Sequence, residues 1–441
     1  MSKRTAAAAV VCGVLAAGSA FAQASSGTSW DYTCGKAKGA TALAPTSVYV
    51  TGASFGFDLQ TVPSVAKGVC SSDKAFFFSQ TVPEGNYRVE LVLGGGAAAV
   101  TTVKAEARRL MLEAIATPKG KTETRVFIVN IRTPEIGGDK VGADKKVRLK
   151  PREIGNLDWD NKLTLEFNGT NPSVKSISIK KVEDVPTVYL AGDSTMVDQD
   201  KEPWASWGQM LPRFFNTRPG GPLVSIANNA ESGETIASFQ GENRFAKIFS
   251  TIKSGDYLFI QFAHNDQKPG RGFVPIPQYK ALMTKYVEDA KRLGAHPVLV
   301  TAMNRRAFDD QGKIQMTLGD YPQATRDVAK AEDVPLIDLN AMSKTLFEAM
   351  GPEGTLKAFV HYPANTFPGQ SEALADNTHF NSYGAYELAK CIVLGIQQDK
   401  LPLAQDLAKS VGTFDPAHPD NAATWSLPAS PMVSTATPYG R

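Results

Sequence analysis

The chain has 441 residues, of which 42% are hydrophobic and 21% charged, so it can bury at least one sizeable core. The formal net charge of +3 is small for that length, and no Lys/Arg block stands out. That balance excludes a nucleic-acid-binding class and does not by itself select an acidic partner.

The N-terminus has the form of an export signal. Lys3 and Arg4 precede an almost wholly apolar run over residues 6–17, and Ala20-Phe21-Ala22 supplies the small-x-small cleavage pattern. Residues 1–22 are therefore expected to be a signal peptide, and the mature protein to be secreted or periplasmic. Cys12 has no lipobox before it, so no lipid anchor is expected, and no later run reaches the 18 apolar residues of a membrane span. Export permits a disulfide between Cys34 and Cys70. Cys391 sits in an apolar helical pattern and reads as a buried thiol. None of these cysteines has zinc-ligand spacing, and no metal or cofactor is expected.

Residues 24–183 read as all-β. Short alternating or β-branched runs occur at 75–79, 87–93, 125–130, 162–167 and 174–179. Turn signals such as Pro83-Glu84-Gly85-Asn86 and Asn168-Gly169 separate them. Strands of this length and spacing predict a β-sandwich. Residues 181–186 carry charge and a proline and are the expected linker.

Residues 187–402 change character. Apolar strand runs at 187–190, 257–262, 297–301 and 336–339 alternate with helical stretches, the clearest at 277–293, 322–332 and 382–397. That alternation predicts a parallel sheet covered on both faces. Residues 403–441 form a tail that becomes rich in Pro, Ala, Ser and Thr, expected to lie over the surface or to be partly disordered.

Four short blocks carry the chemistry. Gly192-Asp193-Ser194 follows a predicted strand, where open α/β sheets place their sites. Taken alone it equally suits a turn or a helix N-cap. Asn228-Asn229-Ala230-Glu231-Ser232-Gly233 follows a second apolar run, and its glycine allows close approach of the backbone to a ligand. Ala263-His264-Asn265-Asp266 ends a third strand, and Asp376-Asn377-Thr378-His379 places an acid three residues before a histidine in a chain with five His. There is no Gly-x-Ser-x-Gly elbow, which argues against an α/β-hydrolase.

In this order the blocks resemble those of the SGNH (GDSL-like) hydrolases, serine esterases with a flavodoxin-like three-layer α/β/α fold. The resemblance covers about 187–400. The finer wording is similar to the rhamnogalacturonan and pectin acetylesterases: Ala191-Gly192-Asp193-Ser194-Thr195-Met196, Phe262-Ala263-His264-Asn265-Asp266-Gln267 and Asp376-Asn377-Thr378-His379-Phe380-Asn381. The sandwich resembles the galactose-binding-like modules placed before esterase domains.

The resemblance implies Ser194 as nucleophile, His379 as base and Asp376 as its orienting acid. It implies an oxyanion hole from the N–H groups of Ser194 and Gly233 and the side chain of Asn265. Asp193 is expected to support the turn. His264 is expected beside the cleft as a substrate-binding residue. Trp204 and Trp207 suit either a sugar platform or packing, and His361 and Tyr362 are weaker candidates. Two departures stand out: Ala263 replaces the family's usual glycine, and acidic Glu234 follows Gly233 where the branch usually has a serine.

The expected activity is removal of acetyl groups from a plant cell-wall polysaccharide, pectin or rhamnogalacturonan. The alternatives are the same chemistry on xylan acetate, peptidoglycan acetate or a short-chain lipid, and a non-catalytic carbohydrate-binding protein. The expected partner is an acetylated polysaccharide, with no nucleic acid and no membrane anchor.

Overall fold

The computed structural model describes residues 28–35, 38–137, 145–270 and 272–438; the expected export segment lies outside the described residues. The N-terminal half is a sandwich of two sheets. Its strands are β1 (Ser29–Cys34), β2 (Thr41–Leu43), β3 (Phe55–Asp58), β4 (Ser64–Ala66), β5 (Val69–Ser71), β6 (Phe76–Thr81), β7 (Gly85–Gly94), β8 (Ala99–Ala105), β9 (Arg109–Thr117), β10 (Thr122–Ile131), β11 (Lys162–Thr170) and β12 (Ser173–Val182). One sheet runs β10-β7-β12-β1-β2, with β5 and β4 joined to it through β12, and the other runs β3-β6-β11-β8-β9.

Strict alternation makes β7: Tyr87, Val89, Leu91 and Leu93 are buried while Arg88, Glu90 and Val92 are only partly so. Those residues join Phe76, Phe78, Leu163, Leu165, Ile177 and Ile179 in the sandwich core.

Asn168-Gly169 is not a turn, as its dipeptide type predicts. Both residues lie within β11, opposite Thr102 and Thr101. Gly169 is at φ +117°, and a Cβ there would meet the Val100 carbonyl oxygen at 2.3 Å. The glycine marks a close approach of two strands.

A disulfide links Cys34 at the end of β1 to Cys70 in β5, 36 residues apart. Closing a loop of that length restricts the unfolded chain and is worth roughly 3–4 kcal/mol. The double variant Cys34→Ser/Cys70→Ser should therefore unfold at clearly lower denaturant, by a loss of about 3 kcal/mol, and an unchanged midpoint would show that the bond adds nothing.

The linker is shorter than expected, because β12 extends to Val182 and the next strand opens at Thr187. Five parallel strands follow: β13 (Thr187–Gly192), β14 (Ser225–Asn228), β15 (Tyr257–Gln261), β16 (His296–Val300) and β17 (Leu336–Ile337). Their order is β14-β13-β15-β16-β17, the flavodoxin-like 2-1-3-4-5 arrangement.

Helices cover both faces, so the strands read as continuous apolar runs. Val188 and Leu190 face one core with Trp207 of α1 (Trp207–Met210), Leu346 and Phe347 of the helical stretch 339–355, and Leu388 and Ile392 further on. Tyr189 and Ala191 face the other, with Phe239 of α2 (Ile236–Gly241), Ile248 of α3 (Arg244–Thr251), Met283 of α4 (Ile276–Arg292) and Val328 of α5 (Tyr321–Ala331). The stretch over 339–355 is α6 (Leu339–Thr355), and α7 (Ser382–Gln398) holds Cys391, which is buried and free. Among the described residues no helix is long and apolar enough to cross a membrane.

The two halves share buried charges. Arg109 of β9 reaches Asp198 at 2.8 Å and Asp158 at 3.1 Å. Arg108 donates to the Gln199 and Trp204 carbonyls and pairs with Glu202. The segment just after the parallel strand β13 is thus gripped by the sandwich. The tail lies over the surface and is tied down: the Trp425 ring packs on Tyr383 and Tyr386, Lys104 Nζ donates to the Pro428 carbonyl, and residues 432–434 bond to Glu202.

Candidate active site

β13 lies where the strand order reverses, with β14 on one side and β15 on the other. The crevice beyond its carboxyl end is the natural ligand position of such a sheet. Ser194 sits there, two residues past the strand. Asp193 shapes the turn: its Oδ1 accepts from Thr195 N at 2.9 Å and Thr195 Oγ1 at 2.8 Å, and its carbonyl accepts from Met196 N. Gln261, at the end of β15, donates from Nε2 to Thr195 Oγ1 and accepts at Oε1 from Trp207 Nε1. Burial raises the Asp193 carboxyl above its ordinary range, partly offset by its bonds to Thr195, as befits a group holding backbone.

Asp376 and His379 come from β19 (Leu374–Phe380), paired antiparallel with β18 (Phe359–Tyr362). Asn381 follows the strand and caps α7 by accepting from Gly384 N. His379 Nε2 stands 2.9 Å from Ser194 Oγ, and His379 Nδ1 stands 2.9 Å from Asp376 Oδ2. The other carboxylate oxygen accepts from the N–H groups of Thr378, at 2.7 Å, and His379, at 3.0 Å. Burial alone would raise the Asp376 carboxyl, but these bonds and the neighbouring imidazole outweigh it and hold it at about 2. Ser194 and His379 are each 1% exposed.

The second and third blocks meet beside this chain of bonds. Glu231 N–H donates to the Gly192 carbonyl at 3.1 Å, seating the Gly233 loop against the serine turn. Gly233 is at φ +80°. Asn265 Nδ2 donates to the Glu234 carbonyl at 3.0 Å, and Asp266 Oδ1 accepts from Ile236 N at the start of α2. Among the described residues no acceptor takes the N–H of Ser194 or of Gly233. Ala263, in place of the expected glycine, is at φ +143°, a conformation that favours glycine. It is fully buried, and Asn265 still reaches the Gly233 loop.

Other candidates fall elsewhere. His264 is fully buried, with Nε2 3.4 Å from Met303 Sδ, and burial together with the Arg305 charge holds its imidazole well below the ordinary value. Trp204 and Trp207 are also buried. Trp204 stands edge-on to the His379 ring at 6.0 Å, and Trp207 is held by its Nε1 donating to Gln261 Oε1. His361 bonds to Asn377 and the Tyr362 ring packs on Phe367.

Glu234 does not charge the cleft. Its side chain is buried and meets Lys150 and Ser238, with Arg244 at 3.9 Å. Lys150 belongs to the sandwich half, and sequence reasoning missed it. A cleft of about 990 Å³ runs past Gly233 and Asn265, lined also by Lys150, Arg152, Glu242 and Lys268. Lys268 donates to Asn265 Oδ1, and burial with the Arg305 charge lowers its ammonium to about 8. No group of His, Cys, Asp or Glu side chains that could hold a metal ion occurs among the described residues.

Comparison with known proteins bears on this geometry. The profile of the GDSL-like Lipase/Acylhydrolase family matches residues 190–385. The chain is 43% identical over 227 residues to the rhamnogalacturonan acetylesterase RhgT of Bacillus subtilis, covering 51% of this chain and 95% of that one. It is 33% identical over 226 residues to the probable rhamnogalacturonan acetylesterase YesY of the same organism, covering 50% and 97%. It is 26% identical over 250 residues to a rhamnogalacturonan acetylesterase of Emericella nidulans, covering 51% and 91%. With nearly the whole of RhgT matched at that identity, the chain belongs to the GDSL-like lipase/acylhydrolase (SGNH) family and is a carboxylic ester hydrolase.

Proposed function

We propose that the protein is an exported serine acetylesterase that removes acetyl groups from an acidic plant cell-wall polysaccharide, pectin or rhamnogalacturonan. The observation that carries the catalytic part is the continuous Ser194–His379–Asp376 chain, with both links at 2.9 Å. Ser194 Oγ attacks the acetyl carbonyl carbon as its proton passes to His379 Nε2. Asp376 holds the imidazole with Nδ1–H toward itself and stabilises the imidazolium. As the bond between the acetyl carbon and the sugar oxygen breaks, His379 gives that proton to the departing oxygen, which leaves as the sugar hydroxyl. Water, activated by the same imidazole, then attacks the acetyl-enzyme and releases acetate. The oxyanion of each tetrahedral intermediate is held by the N–H groups of Ser194 and Gly233 and by Asn265 Nδ2.

The substrate reading is supported by the identity to RhgT over nearly its whole length. The sandwich, read as galactose-binding-like, forms one wall of the cleft beside Gly233 and Asn265.

Asn265→Ala should lower kcat by about 10²–10³-fold, or about 3–4 kcal/mol, with the fold intact. A kcat near that of the wild type would remove Asn265 from the oxyanion hole. Acetate release from acetylated pectin, rhamnogalacturonan, xylan and peptidoglycan tests the substrate: the acidic plant polymers should be turned over fastest. Preference for xylan or peptidoglycan would overturn the substrate assignment and leave the esterase chemistry in place.

A further inference from the structure

Two residues of the sandwich half, Lys150 and Arg152, close on the loop that carries Gly233. Lys150 Nζ donates to the Ser232 carbonyl at 2.9 Å, and Arg152 donates to the same carbonyl from its guanidinium. Arg152 Nε also bonds Glu231 Oε1 at 2.8 Å, while Lys150 meets Glu234. Glu153 secures the short turn from within, accepting from Lys150 N at 2.8 Å. It also grips Arg244 of α3 through two bonds, at 3.0 and 2.5 Å. Immediately upstream, Arg148 N donates to the Glu242 carbonyl.

The Ser232 carbonyl belongs to the same peptide group as the Gly233 N–H. In a planar trans peptide the two point in opposite directions. Two cationic donors that draw the Ser232 oxygen toward the sandwich therefore aim the Gly233 N–H away from it, into the crevice. Glycine at 233 would otherwise let that peptide rotate at little cost. Hydrogen bonds to a carbonyl also polarise its amide, which makes the N–H a stronger donor. Charged donors do so more than neutral ones.

We propose that Lys150 and Arg152 are positioning residues for ester hydrolysis, acting through the Ser232–Gly233 peptide to orient and strengthen one donor of the oxyanion hole. The sandwich is thereby a working part of the active site. This rests on the oxyanion role of Gly233 given above, so Asn265→Ala is assayed alongside.

The test uses the full chain with p-nitrophenyl acetate, an ester too small to span the cleft. The variants are Arg152→Met, Lys150→Met/Arg152→Met and Arg152→Lys, each with its thermal unfolding recorded. The double variant should lose about tenfold or more in kcat with KM changed less than about twofold, and Arg152→Met should lose a smaller share. Arg152→Lys, which keeps a cation for the Ser232 oxygen, should recover most of the rate. A folded double variant with wild-type kcat, a loss confined to KM, or an Arg152→Lys variant as impaired as Arg152→Met would each overturn the proposal. Should the double variant not fold, Arg152→Met decides alone, since that side chain is 40% exposed. If Asn265→Ala keeps full activity, the oxyanion reading itself fails, and the clamp fails with it. If Asn265→Ala is crippled while the Lys150 and Arg152 variants are not, only the clamp fails.

Discussion

Replacing Ser194 with alanine should lower kcat for acetyl esters by about 10⁵–10⁶-fold, or about 7–8 kcal/mol of transition-state stabilisation. The size follows from chemistry, since the variant has no atom that can form the acetyl-enzyme. His379 and Asp376 would still face an acetyl group but could offer it only a poorly placed water. Stability should hardly change. The Ser194 hydroxyl contributes one bond, to His379 Nε2, and a buried hydroxyl of that kind is worth about 1 kcal/mol. A variant that folds, melts near the wild type and is inert separates the nucleophile from the scaffold. Residual activity above about 1% would point to another nucleophile.

Asp376→Asn should cost about 10⁴-fold in kcat near neutral pH. The amide can present its N–H₂ to His379 Nδ1, which then holds the imidazole with its proton on Nε2, the wrong face for accepting from Ser194. The same substitution has a signature in acid stability. The Asp376 carboxyl falls from its ordinary 3.8 to about 2 in the folded protein. A depressed carboxylate stabilises the fold fully above the unfolded value and loses that contribution as pH drops toward the folded one. The group should thus add roughly 2 kcal/mol above about pH 4, lost on going down to about pH 2. Denaturant melts across that window should fall more steeply for the wild type than for Asp376→Asn. Parallel slopes would mean that the His379 and backbone bonds do not hold the charge. Activity profiles should show no limb from Asp376 above about pH 3.

What the sequence made legible was local. β13 and β15 are unbroken apolar runs because both faces are covered, and α4, α5 and α7 lie within a residue or two of the stretches their periodicity predicts. The four blocks sit at strand ends or just before a helix, so each could be read without knowing its neighbours. β8 and β9 could not be read that way. Lys104 and Arg109 are buried in them against the other half of the protein, so a charge there does not mark the solvent face. Lys150, Arg152 and Glu153 escaped for the same reason. In sequence they look like an ordinary solvated charge run, and only docking of the sandwich brings Lys150 and Arg152 to Ser232 and Glu153 to Arg244. Asn168-Gly169 has the composition of a turn, and only the approach of Val100 shows why a glycine stands in mid-strand. Glu234 was legible as a departure from the family, but its cause lay in Arg244, ten residues on, and in Lys150 of the sandwich half.

The central claim is that Ser194 forms the covalent intermediate, and active-site labelling tests it most directly. The native protein is treated with a fluorophosphonate, digested and mapped by mass spectrometry. One phosphonyl group should be found on the peptide bearing Ser194, with acetate release lost in step, and none should appear on Ser194→Ala. Full inactivation with the label on another residue, or acetate release that persists while Ser194 is fully labelled, would contradict the account.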